Sequence, residues 1–335
     1  MTNIQPGAPM VSICTITYNG APFVREMIEG VVKQNVNFEI EHVIADDAST
    51  DGTAAIIREY AEKYPKLIRF IENLKNLGMN PNFQQALLAC RGKYIALLDG
   101  DDYWTDPGKL QTQVDFLETH PECSFCGTAT KIYYQAKDEF APGHPELPED
   151  DGTIRYFDVP DLYNLWPFWI PTHSLLLRRD YLELPPWCVD AVYFDRALRL
   201  ILGMRGKGAY INKTMVVYRK HGTNYTNLQP YSYIRRCAEL YRNVYHFSGK
   251  KHYKAARRAI NQAIHAERQQ IHREAKGWQK FKALCSNTWF AVREFRVTSP
   301  KDILRFPYHY LFLGDLVTIL RGASKPSQNS DRITQ

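Results

Sequence analysis

The stretch Tyr94-Ile95-Ala96-Leu97-Leu98-Asp99-Gly100-Asp101-Asp102-Tyr103-Trp104 decides how the chain is read. Its apolar start, from Tyr94 to Leu98, is bounded by Gly92-Lys93 and an acidic cluster, and predicts a short strand buried on both faces. The strand delivers Asp99, Asp101 and Asp102 into the loop at its C-terminal end. Acids this close repel one another, so the loop needs a compensating charge. Oxygen donors on a Gly-containing loop suit a hard divalent cation such as Mg²⁺ or Mn²⁺. The carboxyl ends of strands are also where open α/β sheets bind ligands. On this segment alone, an Asx-type turn that merely ends the strand is the competing reading.

Upstream, the β-branched run Val11 to Tyr18 predicts a first strand, stopped by Asn19-Gly20. A helix over 21–34 places Phe23, Met27, Ile28 and Val31 at helical spacing. A second strand, 38–45, runs into Asp46-Asp47-Ala48-Ser49-Thr50-Asp51-Gly52-Thr53, followed by a helix over 53–64, a strand over 67–71 and a helix over 82–91. Strict alternation of strand and helix predicts a parallel sheet with right-handed crossovers. Asp46, Asp47, Asp99, Asp101 and Asp102 should then converge on one sheet edge.

Downstream, a helix is expected over 109–119 and strand over 124–134. Gln135 to Asp161 is loop-like, either a flap over a site or a passive loop. Phe168 to Arg179 reads as a returning strand, Val192 to Leu202 as a helix and Met215 to Arg219 as a last strand. Cys123 and Cys126 have zinc spacing, but no second pair follows, so they read as positions in a buried strand.

The 335 residues suffice for one large α/β domain plus an appendage. Seven scattered cysteines do not make a disulfide framework. Met1 to Met10 is polar, with no signal peptide, and no run reaches a membrane span of about 20 apolar residues. A cytoplasmic protein is expected. Charge is uneven: Tyr231 to Pro300 holds 15 Lys/Arg against 4 Asp/Glu, a local +11 in a chain of net +6, which leaves the rest at −5.

Several segments, in this order, resemble the inverting glycosyltransferases of family 2, which have the GT-A fold: Thr17-Tyr18-Asn19, Asp46 to Thr53, Leu98 to Asp102, Phe194-Asp195, and Tyr218-Arg219-Lys220-His221. They cover about two thirds of the chain. The resemblance implies a mostly parallel sheet flanked by helices, binding a nucleotide-sugar donor through Thr17, Tyr18, Asn19, Asp46, Asp47, Asp99 and Asp101. Tyr18 would pack on the base and Asp47 would accept a hydrogen bond from it, favouring uracil. Asp101, Asp102 and His221 would hold Mn²⁺ or Mg²⁺ at the diphosphate, with Arg219 neutralising phosphate. Asp195 is implied as the catalytic base, with Asp190 as the competing candidate. Phe194-Asp195 departs from the family's Glu-Asp or Gly-Asp. Thr172-His173-Ser174 would line the acceptor side.

The resulting division is a GT-A domain over 1–228 and a helical, basic extension over 229–335. The expected reaction is transfer from a nucleotide sugar, UDP-linked, to a hydroxyl of a glycan or lipid-linked acceptor in bacterial surface polysaccharide synthesis. A sugar nucleotidyltransferase and an inactive nucleotide-sugar-binding protein are the alternatives. In the extension, basic residues interleave with aromatics, and Phe306, Tyr308, Tyr310, Leu311 and Phe312 follow. A solvated helical face is the default. Association with an anionic membrane on its cytoplasmic side is the hypothesis, and no recognised nucleic-acid module accompanies the charge.

Overall fold

The computed structural model describes residues 7–143, 151–163, 170–224 and 232–274, together with 279, 283, 284, 286 and 287. Strands β1 (Val11–Thr17), β2 (Ile40–Asp46), β3 (Ile68–Glu72) and β4 (Tyr94–Leu97) lie side by side and parallel, in the order β3-β2-β1-β4. Helices α1 (Val24–Val32), α2 (Thr53–Lys63) and α3 (Met79–Ala89) provide the connections. All four β4 residues are buried, as expected of a central strand in a parallel sheet covered on both faces. Val24, Met27, Ile28 and Val31 form the buried stripe of α1 and join Val11, Ile13, Ile44, Ile57 and Tyr94 in one core. Burial of each such side chain contributes about 1.5–3 kcal/mol.

The second half adds β5 (Tyr103–Trp104), α4 (Lys109–Thr119), β6 (Cys123–Tyr134), β9 (Leu176–Arg178), α6 (Phe194–Gly203) and β10 (Lys207–Lys220). The sheet continues β4-β9-β6-β10-β5. Strand β9 is antiparallel to both β4 and β6, whereas β10 is parallel to β6. The sheet is therefore mixed but mostly parallel at the end that carries the acids. Thr17 is level with Asp46 in the β1–β2 register, so the loops after β1, β2 and β4 open on one edge.

Three expectations are corrected. The segment read as loop over 135–161 contains β7 (Glu139–Pro142), β8 (Ile154–Phe157) and the start of α5 (Val159–Tyr163), because long β6 and β10 present edges for β7 and β8 to pair with. Four-residue strands show too little alternation to be read alone; residues 144–150 lie outside the described part. The strand read over 168–179 is a 3₁₀ turn, Thr172–Ser174, followed by β9. Pro171 ahead of the turn has no N–H for a sheet ladder; the strand's first two residues, Phe168 and Trp169, lie outside the described part. The last strand is far longer than 215–219, spanning Lys207–Lys220 with register shifts near Thr214.

Helices α7 (Ser232–Phe247) and α8 (Tyr253–Glu274) complete the described elements. Contacts group Met1–Gln229 with Arg236–Ile260 as one unit, and Pro230–Arg235 with Asn261–Gln335 as another. In the second unit, Ile271, Ala283 and Leu284 form a small apolar cluster, and Asn287 Nδ2 donates to Glu267 Oε2 at 2.8 Å. The aromatic run over 303–320 lies outside the described residues. Among the described residues, no helix is long and apolar enough to cross a membrane.

Candidate active site

The loop after β1 is tied to the loop after β2. The Asn19 N–H donates to Ser49 Oγ (2.8 Å), the Gly20 N–H to Thr53 Oγ1 (2.9 Å) and the Ala21 N–H to Asp51 Oδ2 (3.0 Å). Asn19 Oδ1 returns the tie by accepting the Thr50 N–H at 2.9 Å. Asn19 and Ala48 both adopt the left-handed backbone, at φ 51° and 60°, which is uncommon for non-glycine residues and concentrates strain at this edge. Thr17 is buried, while Tyr18 is 54% exposed.

Asp46 and Asp47 reach the expected edge but turn inward. Asp46 is buried and accepts the Ser49 N–H (2.9 Å) and hydroxyl; burial pushes its carboxyl upward. Asp47 accepts the Leu77 N–H (2.7 Å), the Gly78 N–H (2.9 Å) and Asn73 Nδ2 (3.2 Å). Both acids therefore anchor loops.

The acid loop after β4 is pressed against β1. Gly100 donates its N–H to Ile16 O, and a Cβ there would stand 2.7 Å from Thr17 Cβ and 2.8 Å from Ile16 O. Asp101 is partly exposed. Its Oδ2 lies 3.0 Å from His221 Nε2 and accepts Asn224 Nδ2 at 3.2 Å. Asp102 faces the opposite way and is buried: its Oδ1 accepts the Arg219 N–H (2.8 Å), and its Oδ2 stands 2.6 Å from His173 Nδ1. His173 also approaches Asp99 Oδ2, at 3.8 Å, and stacks on Tyr218. Burial disfavours charge on this imidazole, yet the facing carboxylates of Asp102 and Asp99 outweigh it and raise His173 to about 9. Asp99 is raised by burial first, with Asp101 and Asp195 adding to it.

The expected ligand group thus divides: Asp101 pairs with His221, and Asp102 with His173. Among the described residues, Asp99, Asp102 and His173 bring donor atoms within 4.8 Å of one another. Among the described residues, His173 Nε2 is buried without a hydrogen-bond partner. Carboxylate and imidazole donors gathered on one loop edge fit Mn²⁺ or Mg²⁺, with Asp101 and His221 on the more exposed side. Arg219 does not face that side. Its Nε donates to Asp101 O (3.0 Å), another nitrogen pairs with Glu26, and the rings of Phe23, Tyr103 and Tyr133 surround it at 5.0–5.7 Å. It braces the acid loop from behind.

Asp195 occupies the first turn of α6. Its Oδ2 accepts Thr172 Oγ1 (2.9 Å) and Arg199 Nη2 (2.7 Å). Burial favours the neutral acid, but Arg199 and Arg196, with these hydrogen bonds, outweigh it and hold Asp195 below its ordinary value. It is a carboxylate at neutral pH, and its charge is felt at Asp99. Asp190 is exposed on the segment before α6, with its carbonyl taken by Arg236 Nη2 at 2.7 Å. Arg199 and Asn224 were missed as site residues. Arg199 carried a readable signal, four residues after Asp195 on one helical face, whereas nothing in the sequence marked Asn224. Cys123 and Cys126 are free, buried β6 residues.

The model for the family described as glycosyl transferase family 2 matches residues 12–183. An uncharacterized protein of Mycobacterium tuberculosis (strain H37Rv) is 39% identical over 218 residues, covering 63% of this chain and 59% of that protein, so the match spans less than two thirds of its length. A Bacillus subtilis (strain 168) protein provisionally assigned to teichuronic acid biosynthesis, glycosyltransferase TuaG, is 32% identical over 154 residues, 45% of this chain and 58% of that one. Among solved structures, S. aureus TarS 1–349 in complex with UDP-GlcNAc superposes with a TM-score of 0.59 at 17% identity, covering 84% of this chain and 81% of that one. That likeness is one of fold, the GT-A arrangement of a mostly parallel sheet flanked by helices. With the family model spanning half of its length and the motif loops gathered at one sheet edge, the chain belongs to glycosyltransferase family 2.

Proposed function

We propose that the protein is a metal-dependent, inverting glycosyltransferase. In this reading it moves a sugar from a UDP-linked donor to a hydroxyl of a glycan or lipid-linked acceptor in the assembly of a surface polysaccharide. One observation carries the mechanism: Asp195 lies outside the acid loop, in the first turn of α6, with its carboxylate paired to Arg199 Nη2 at 2.7 Å and bound by Thr172 Oγ1 at 2.9 Å. A base and a leaving-group site on either side of one sugar need that separation.

Tyr18 offers its exposed ring to the base. Asp47 has about four acceptor sites and uses three on protein donors, which leaves one for the ring N–H of uracil. Asp99 and Asp101 would face the ribose and diphosphate, and Asp101 with His221 would hold the cation, while Asp102 braces the loop through His173 and the Arg219 N–H. When bound, the cation supplies charge stabilisation to the departing diphosphate. Asp195 takes the proton of the acceptor hydroxyl as its oxygen bonds to the anomeric carbon. The bond from that carbon to the phosphate oxygen breaks, the nucleoside diphosphate keeps the electron pair, and the anomeric centre inverts.

A nucleotidyltransferase would need free loop amides to cradle a triphosphate. Here the amides of Asn19, Gly20 and Ala21 are already engaged by Ser49, Thr53 and Asp51, which favours the transferase reading. TuaG's provisional role in teichuronic acid synthesis supports a polysaccharide acceptor. The basic charge over 231–300 is proposed to hold the protein at an anionic cytoplasmic membrane surface. Incubating the protein with Mn²⁺ and UDP-, GDP- and dTDP-sugars tests the donor: release of UDP in preference is expected, and release of GDP alone would overturn the UDP assignment.

A further inference from the structure

The short turn Thr172–Ser174 touches both halves of the site. Thr172 Oγ1 donates to Asp195 Oδ2 at 2.9 Å. The next residue, His173, places Nδ1 2.6 Å from Asp102 Oδ2. Two consecutive side chains therefore join the base to the leaving-group loop.

The turn is pinned from the interior as well. Trp104 Nε1 donates to His173 O at 3.1 Å, and Gln113 Nε2 donates to Ser174 O at 2.9 Å. Behind them, Lys109 Nζ donates to Gln113 Oε1 (2.6 Å) and stands 4.2 Å over the Trp104 ring. Lys109 and Gln113 are both fully buried. A buried ammonium is costly, and α4 could seat on the sheet with an apolar side chain in its place. What Lys109 adds is a polar brace between the two residues that hold the turn. Gly127 on β6 leaves the room: a Cβ there would meet Ile170 Cγ2 at 2.2 Å and Ser174 Oγ at 3.0 Å.

We propose that Thr172 is a positioning residue of the transfer. Through its hydroxyl the braced turn holds Asp195 at a set separation from Asp99 and Asp102, so that the base meets the sugar on the face opposite the diphosphate. This rests on Asp195 being the base. The other charged and titratable groups facing Asp195 are Arg196 and Arg199 of α6, Asp99 of the acid loop and Cys237 of α7, and none is altered by a change at Thr172.

The test compares Thr172→Val, Thr172→Ser, Trp104→Phe and Asp195→Asn in the full chain with Mn²⁺. Each is assayed on whichever of UDP-glucose, UDP-galactose and UDP-N-acetylglucosamine releases UDP fastest. Thr172→Val, which keeps the shape, should lower kcat about tenfold to a hundredfold with donor KM within about twofold. It should also move the acid limb of kcat to higher pH, because the carboxylate loses a hydrogen bond to its charged form. Thr172→Ser should restore both. Trp104→Phe, one step back from the turn, should shift kcat and the limb in the same direction. If Thr172→Val keeps wild-type kcat and limb while Asp195→Asn is inactive, the positioning role is overturned and the base assignment stands. If Asp195→Asn is fully active, the base assignment itself fails.

Discussion

Arg199 Nη2 stands 2.7 Å from Asp195 Oδ2, one helical turn along α6, and Arg199 is itself buried while Asp195 keeps part of its side chain in solvent. The buried cation holds the carboxylate in its charged form and leaves part of it open to solvent. In the proposed mechanism the charge that stabilises Asp195 also weakens it as a base, so proton transfer to it would come late, as the acceptor oxygen bonds to carbon and its own acidity rises.

Asp195→Asn should therefore lower sugar transfer by about 10²–10⁴-fold while UDP and Mn²⁺ still bind, since loss of a general base costs that much. Product formation read beside calorimetric UDP binding separates the two. Normal transfer by the Asn variant removes Asp195 from the mechanism.

Asp101→Asn and His221→Ala should each raise the Mn²⁺ concentration for half-maximal activity by about tenfold or more, because each removes a donor at the exposed side of the loop. Chelator should abolish turnover of the wild type, and added Mn²⁺ should restore it. Activity untouched by exhaustive chelation would contradict metal dependence.

Gly100→Ala should be damaging although alanine is small. Its Cβ would meet the backbone of Ile16 at 2.8 Å, and backbone cannot swing aside. The acid loop must then lift from β1, at a cost of about 1–3 kcal/mol in stability and with weaker donor binding. A urea midpoint and a donor KM equal to wild type would show that the close approach is dispensable.

His42 gives the fold an acid sensitivity. It is fully buried and burial lowers it to about 3 from 6.5. Between those values the unfolded chain binds a proton that the native one refuses, so stability rises with pH across this window and falls as pH drops below 6.5. From pH 6.5 to 4.5 the loss from this residue is about 2–3 kcal/mol. His42→Gln should show a smaller fall in urea midpoint between pH 7.5 and 4.5 than wild type; an equal fall would assign the acid loss to other groups.

The parallel front of the sheet was legible because β4 is an unbroken apolar run, β1 is rich in β-branched residues and β2 closes on Val43-Ile44-Ala45, each ending in a turn or acid signal. The placing of Asp99, Asp101 and Asp102 at the end of β4 followed from the same pattern. A strand was expected where β9 lies, but its short bounds and the turn before it were not legible, since a three-residue strand is delimited by the neighbours it fits between, β4 and β6, and not by its own alternation. The sequence by itself thus determined which acids reach the functional edge. Which way these acids face was decided only in three dimensions, because hydrogen-bond partners from distant segments take their carboxylates: Leu77 and Gly78 take Asp47, His173 and Arg219 take Asp102, and Thr172 joins the helical neighbour Arg199 on Asp195, leaving Asp101 and Tyr18 turned toward solvent.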